Sequence, residues 1–227
     1  EWMLEQSTGA AARFDNESDR WALIAVQGPE ALKVLQPMVS GLDLAPMPAF
    51  SHANTRFRTL AGEVPIRVAR TGYTGEDGFE LFVPWDAAPA VWNALTAKGA
   101  RPAGLGARDV LRIEASYPLY GHEIDATTVP YEAGLGWVVK PSKGDFIGKA
   151  PMLERKASGL TRILRGIRTE DPRAVAREGA EILFGDGRTG VVRSGTFSPT
   201  LERAIAIGCV PPDAPEACKD SVRGNPV

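Results

Sequence analysis

The stretch Arg70-Thr71-Gly72-Tyr73-Thr74-Gly75-Glu76-Asp77-Gly78-Phe79-Glu80 lies between two apolar runs, residues 64–69 and 81–83. Glycine at every third position lets the backbone turn tightly or come close to a ligand, while Arg70, Tyr73 and three carboxylates project from it. Two readings follow. One is a surface hairpin turn whose acidic residues are merely solvated. The other is a binding site built on a bend, with strands entering and leaving it.

Working outward, residues 57–60 and 63–69 read as neighbouring strands joined across Ala61-Gly62, and residues 79–83 as the return strand. Upstream, residues 21–26 form a short apolar run of buried-strand length. Pro29 and Glu30 then suit the first turn of a helix over residues 29–35. That strand, turn and helix lack the Gly-x-Gly-x-x-Gly pattern, so no dinucleotide site is expected. Residues 1–6 suit the last turns of a helix, and 41–50 a loop. Downstream, Asp86 is placed to cap a helix with Val91, Trp92 and Leu95 on its apolar face, stopped by Gly99. Residues 106–117 have a helical pattern that puts Arg108 and Arg112 on one face. Residues 137–139 read as a short buried strand with Trp137 in the core, and 146–155 as a strand end passing into a helix. Beyond residue 157, short runs at 163–167, 181–184, 191–197 and 204–210 alternate with glycine-marked turns, the spacing of a small barrel or sandwich. The expectation is an α+β chain with domains at 1–157 and 158–227.

The whole chain narrows the function classes. At 227 residues, 44% hydrophobic and 24% charged, it is long enough for a sizeable core and ordinary in composition. A net charge of −2, with basic residues scattered, lacks the field that nucleic acid or an anionic membrane surface requires. No apolar run approaches the roughly 20 residues of a membrane span. Cys209 and Cys218 read as reduced thiols, and His52 and His122 are too far apart for a zinc motif, so no metal is expected. The beginning, without an initiator Met, reads as an internal cut.

RTGYTGEDGFELFVP, followed by GLGARDVLRIEASYPLYGHEID and DFIGK, resembles the aminomethyltransferase (T-protein) family of the glycine cleavage system. The resemblance covers nearly the whole chain through three motifs in the family's order. It implies a folate-binding domain followed by a C-terminal β-barrel, with tetrahydrofolate accepting a one-carbon unit from an aminomethyl-lipoyl carrier (H-protein) and ammonia released. Members are cytoplasmic in bacteria and mitochondrial in eukaryotes. Glu80 matches the family's ligand-binding Glu, and Arg108 the Arg that contacts the ligand. A pterin presents an exocyclic amine and a ring N–H side by side, and one ionised carboxylate can accept from both. The alternative for Glu80 is an outward strand residue, and for Arg108 a surface partner of Asp109 or Glu114. Tyr73 offers an aromatic face and a hydroxyl at the bend, Tyr117 resembles an aromatic site residue of the family, and Glu76 and Asp77 shape the turn. The family's catalytic Asp has no match here and is expected upstream of Glu1; the chain's end is expected to lack the barrel's closing strand. Rival readings are a folate-binding module without transfer activity and the folate-binding tail of a sarcosine or dimethylglycine dehydrogenase.

Overall fold

The computed structural model describes residues 2–214 and the strand pair 222–223. Cys218 and most of the expected final turn lie outside the described residues. The chain divides into two compact units, one holding residues up to Gly72 together with Glu76–Pro102, the other Tyr73–Gly75 and the chain from Ala103 onward.

In the first unit, a short helix α1 (Trp2–Gln6) precedes an antiparallel sheet. Its strands are β1 (Trp21–Gln27), β2 (Val39–Ser40), β3 (His52–Thr59), β4 (Gly62–Ala69) and β5 (Gly78–Pro84), in the order β1-β5-β4-β3-β2. Helices α2 (Ala31–Leu35) and α3 (Ala88–Ala97) pack on one face of it. The strands alternate, so Phe57, Val68, Phe79, Leu81 and Val83 point inward and are fully buried, with Leu35, Leu44 and Val91 closing over them. Burying each such side chain contributes about 1.5–3 kcal/mol. β1 differs from its expectation as a buried strand. It lies at the sheet's edge, and only Ile24 and Val26 face the core, while Trp21 and Leu23 are exposed. β3 begins five residues earlier than its apolar run, because His52 and Arg56 occupy the exposed side of a paired strand.

Two further expectations are corrected here. Asp86 does not cap α3; a 3-10 turn over Trp85–Ala87 intervenes, and the residue at the cap position is Ala87. On α3, Val91 and Leu95 are buried but Trp92 is 43% exposed, because the apolar stripe is only two residues wide.

The second unit contains α4 (Leu105–Glu114), α5 (Lys149–Ala157) and a sheet of β6 (Ile163–Arg168), β7 (Glu181–Leu183), β8 (Thr189–Ser198), β9 (Arg203–Val210) and β10 (Val222–Arg223), in the order β10-β7-β8-β9-β6. α4 packs on β8 and β9, Ile113 meeting Ile205 and Ile207. Cys209 is buried in β9. A backbone carbonyl lies so close to β8 that a Cβ at Gly195 would stand 1.7 Å from the Ala176 oxygen, so glycine is obligatory there. Trp137 is not in a buried strand. Residues Gly136–Val138 form a 3-10 turn, and the indole is 66% exposed. No strand precedes α5 at residue 146.

Candidate functional site

In the first unit the glycine tract is held from below by Gln27 at the end of β1. Its Nε2 donates to the carbonyls of Thr71 (3.1 Å) and Phe79 (3.2 Å), tying the two ends of the bend together. A Cβ on Gly72 would stand 1.9 Å from Gln27 Oε1, and one on Gly78 2.6 Å from the same side chain. A side chain at either position would have to push the Gln27 amide out of its place between the two carbonyls. Arg70 closes the outside of the bend. Its Nε and Nη2 donate to the Asp77 carboxylate at 3.0 and 2.7 Å, and its Nη1 to the carbonyls of Ala45 (2.9 Å) and Met47 (2.8 Å). The Arg70 hydrogen bond holds the Asp77 carboxyl below the usual carboxylate range. The expectation that Asp77 shapes the turn thus has a direct geometric counterpart.

Glu80 sits on β5 opposite Ala25 of β1 and Ala69 of β4. Alternation places it on the face away from Phe79 and Leu81, beside the half-exposed Phe82. It is half-buried, and Thr71 Oγ1 donates to its Oε2 at 2.5 Å. Among the described residues no other donor reaches this carboxylate. Thr71 fixes its rotamer and leaves the second oxygen able to accept.

The second unit brings the other three candidates together. The Arg108 guanidinium lies over the Tyr73 ring, 4.7 Å from its centroid, and the Tyr73 and Tyr117 rings are 5.6 Å apart at 37°. The Tyr73 hydroxyl donates to the carbonyl of Pro118 and, at 3.4 Å, to that of Tyr117. Burial pushes the Tyr73 phenol above its ordinary pKa. Arg108 is exposed and makes no ion pair among the described residues. Its two prospective surface partners are engaged elsewhere: Asp109 binds Arg112, and Glu114 accepts from Ser198. What remains is a cation on an aromatic platform with its remaining donors outward, an arrangement suited to an anionic or planar ligand.

Tyr117 owes its place to the way α4 ends. Ser116 takes a left-handed φ of 57°, its N–H donates to the Ile113 carbonyl (3.0 Å), and the Tyr117 N–H to that of Arg112 (2.8 Å). This is a Schellman stop, usually built on glycine. Helix periodicity through Tyr117 hid it. The helical face that carries both arginines is also divided. Arg112 is fully buried, donating to Asp109 (2.8 Å), Glu123 (2.7 Å), the Tyr117 carbonyl (3.2 Å) and Ser194 on β8 (2.7 Å). Gln27, Thr71 and Arg112 were not singled out by sequence reasoning. Their partners are far away in sequence, and only the apolar positions around Arg112 hinted that its face turns inward. Among the described residues no cluster of His, Cys, Asp or Glu could hold a metal ion, and no helix is long and apolar enough to cross a membrane.

Two family models match the chain: the GCVT N-terminal domain over residues 1–143, more than half its length, and the glycine cleavage T-protein C-terminal barrel domain over residues 162–222. Among curated proteins it is similar to an aminomethyltransferase of Synechococcus elongatus, 50% identical over 212 residues, covering 93% of this chain and 55% of the relative. An aminomethyltransferase of Pseudothermotoga lettingae is 46% identical over 211 residues, 91% of this chain and 56% of the relative. A third, from Xanthomonas axonopodis pv. citri, is 43% identical across 100% of this chain and 61% of its own length. The chain thus spans little more than half the length of these relatives. The solved structure of glycine cleavage system aminomethyltransferase T from Bartonella henselae superposes with a TM-score of 0.62 at 24% identity, covering 86% of this chain and 76% of that one, and shares its fold.

Proposed function

The chain belongs to the glycine cleavage T-protein family, and from that premise we propose that it is the folate-binding part of an aminomethyltransferase. The substrate is tetrahydrofolate, the donor an aminomethyl group on a lipoylated carrier protein, and the products methylenetetrahydrofolate and ammonia, in a cytoplasmic setting. Support comes from the names carried by relatives up to 50% identical. The observation that carries the site reading is Arg108, a guanidinium without an ion partner among the described residues, stacked over Tyr73 while both carboxylates beside it on α4 are engaged.

In this reading Glu80 accepts from the pterin's adjacent donors with the oxygen that Thr71 leaves open, and Tyr73, Tyr117 and Arg108 contact the ligand. Glu80 binds and orients, while Thr71 fixes it. The transfer step itself is assigned to an aspartate outside residues 1–227, so this stretch binds folate without moving the one-carbon unit. The domain boundary near residue 157 is kept as part of the proposal, and the gap between matched segments, 143 to 162, supports it.

The test is calorimetric titration of tetrahydrofolate into the full-length protein. Glu80→Ala and Arg108→Ala should each weaken binding by about 1–3 kcal/mol, since each strands a polar ligand group. Curves for both variants that overlay the parent's would overturn the site assignment.

A further inference from the structure

The most committed charge in the second unit is one that the proposed ligand contacts do not use. Arg112 spends its guanidinium on three elements at once: Asp109 on its own helix, the carbonyl of Tyr117 together with Glu123, and Ser194 on β8. Glu123 is itself fully buried, and the oxygen that meets Arg112 also accepts from the backbone N–H of Leu119 at 2.9 Å. Its other oxygen is buried with no hydrogen-bond partner among the described residues. The backbone between Tyr117 and Leu119 is therefore clamped at both ends by one ion pair. The two carbonyls in that span, of Tyr117 and Pro118, are those to which the Tyr73 hydroxyl donates, and Tyr73 is the ring under Arg108.

We propose that Arg112, neutralised by Glu123, is a positioning residue for the ligand-facing side chains. By fixing the Tyr117–Pro118 carbonyls it docks the Tyr73 hydroxyl, which holds the ring on which Arg108 rests. The inference rests on the reading of Tyr73 and Arg108 as folate contacts. The energetics favour a device over an ornament. A buried ion pair recovers little net stability against an apolar replacement. A fork that satisfies three directions does, however, fix geometry in a way that a flexible point charge cannot.

The experiment uses Arg112→Lys in the full-length protein, which keeps the charge and loses the fork. Glu123→Gln serves as the second variant, keeping the volume and losing the charge. Ile182→Ala, a core truncation elsewhere in the second unit, provides a loss of Tm without touching the clamp. Two readouts are taken well below Tm: the Kd for tetrahydrofolate, and the titration of the Tyr73 phenol, seen as the absorbance difference from Tyr73→Phe. Each clamp variant should raise Kd about tenfold or more, and Arg112→Lys, which keeps both charges, should let the Tyr73 phenol fall back toward its ordinary pKa of 10; in Glu123→Gln the lost carboxylate charge lowers it as well, so Arg112→Lys decides this readout. Ile182→Ala should change neither. Adding Tyr73→Phe to Arg112→Lys should weaken binding no further, because both act through the same docked hydroxyl. An Arg112→Lys protein that loses Tm but leaves the Tyr73 titration where the parent has it would overturn the proposal. Should the parent bind no tetrahydrofolate, the folate reading fails on its own, and the phenol titration still decides the positioning role.

Discussion

The glycine bend and the end of α4 present proposed ligand contacts by opposite means. At the bend, Glu80 is placed by what is missing: Gly72 and Gly78 have no side chains, so Gln27 fits beneath and staples the Thr71 and Phe79 carbonyls. At the end of α4, Tyr73 and Tyr117 are placed by what is present, a buried guanidinium and a buried carboxylate gripping a turn that a strained Ser116 begins. The first device works through exclusion and neutral hydrogen bonds, so it should fail gradually. The second contains two desolvated charges that are tolerable only together, so it should fail abruptly.

Glu123→Ala breaks the comparison hardest. It leaves Arg112 buried without its counter-charge, and a loss of about 3–5 kcal/mol in denaturant unfolding is expected; a loss below about 1 kcal/mol would show that the pair has no special role. Gly72→Ala should cost less, about 1–3 kcal/mol, because the flexible end of Gln27 can move aside at the expense of its bonds to the Thr71 and Phe79 carbonyls. Repeating that substitution in a Gln27→Ala background sharpens the point: the second cost should nearly vanish if Gln27 is the obstacle, and persist if the backbone is. The smallest effect is expected for Asp77→Asn on the bend's outer side. Asp77 has its folded pKa lowered by Arg70. Its contribution is therefore present above the unfolded carboxylate value near 3.9 and lost as pH falls below it. With Asp77 about half exposed the contribution is screened. The variant should lose a little Tm at pH 7, and the difference from the parent should shrink as pH falls below about 3.9; a difference that widened in acid would contradict the sign.

What the sequence showed follows from the same contrast. Devices made of absence are legible: glycines between apolar runs located β4, β5 and the strands of the second sheet, while Glu80 stood out only through the family resemblance of the Gly-Phe-Glu step. Devices made of distant partners are not. Arg112 has the pattern of a surface arginine four residues from another, and only Ser194, 82 positions away, and Glu123 reveal it as interior. Trp137 misled in the other direction, since Trp-Val-Val has strand propensity but receives no sheet partner and turns outward. The edge position of β1 likewise depends on which strands meet, so Leu23, apolar and exposed, could not be told from Ile24, apolar and buried. Asp86 failed as a cap because a 3-10 turn moved the start of α3 beyond its reach.

Cys209 is enclosed in β9, with β8 on one side and β6 on the other. A sulfhydryl reagent can meet that buried thiol only when the packing around β9 opens. Its rate of alkylation, once Cys218 has been replaced, is thus a clock for excursions of the barrel domain alone, read without dye, ligand or denaturant. Burying that one sulfur gives the protein its own built-in gauge of breathing.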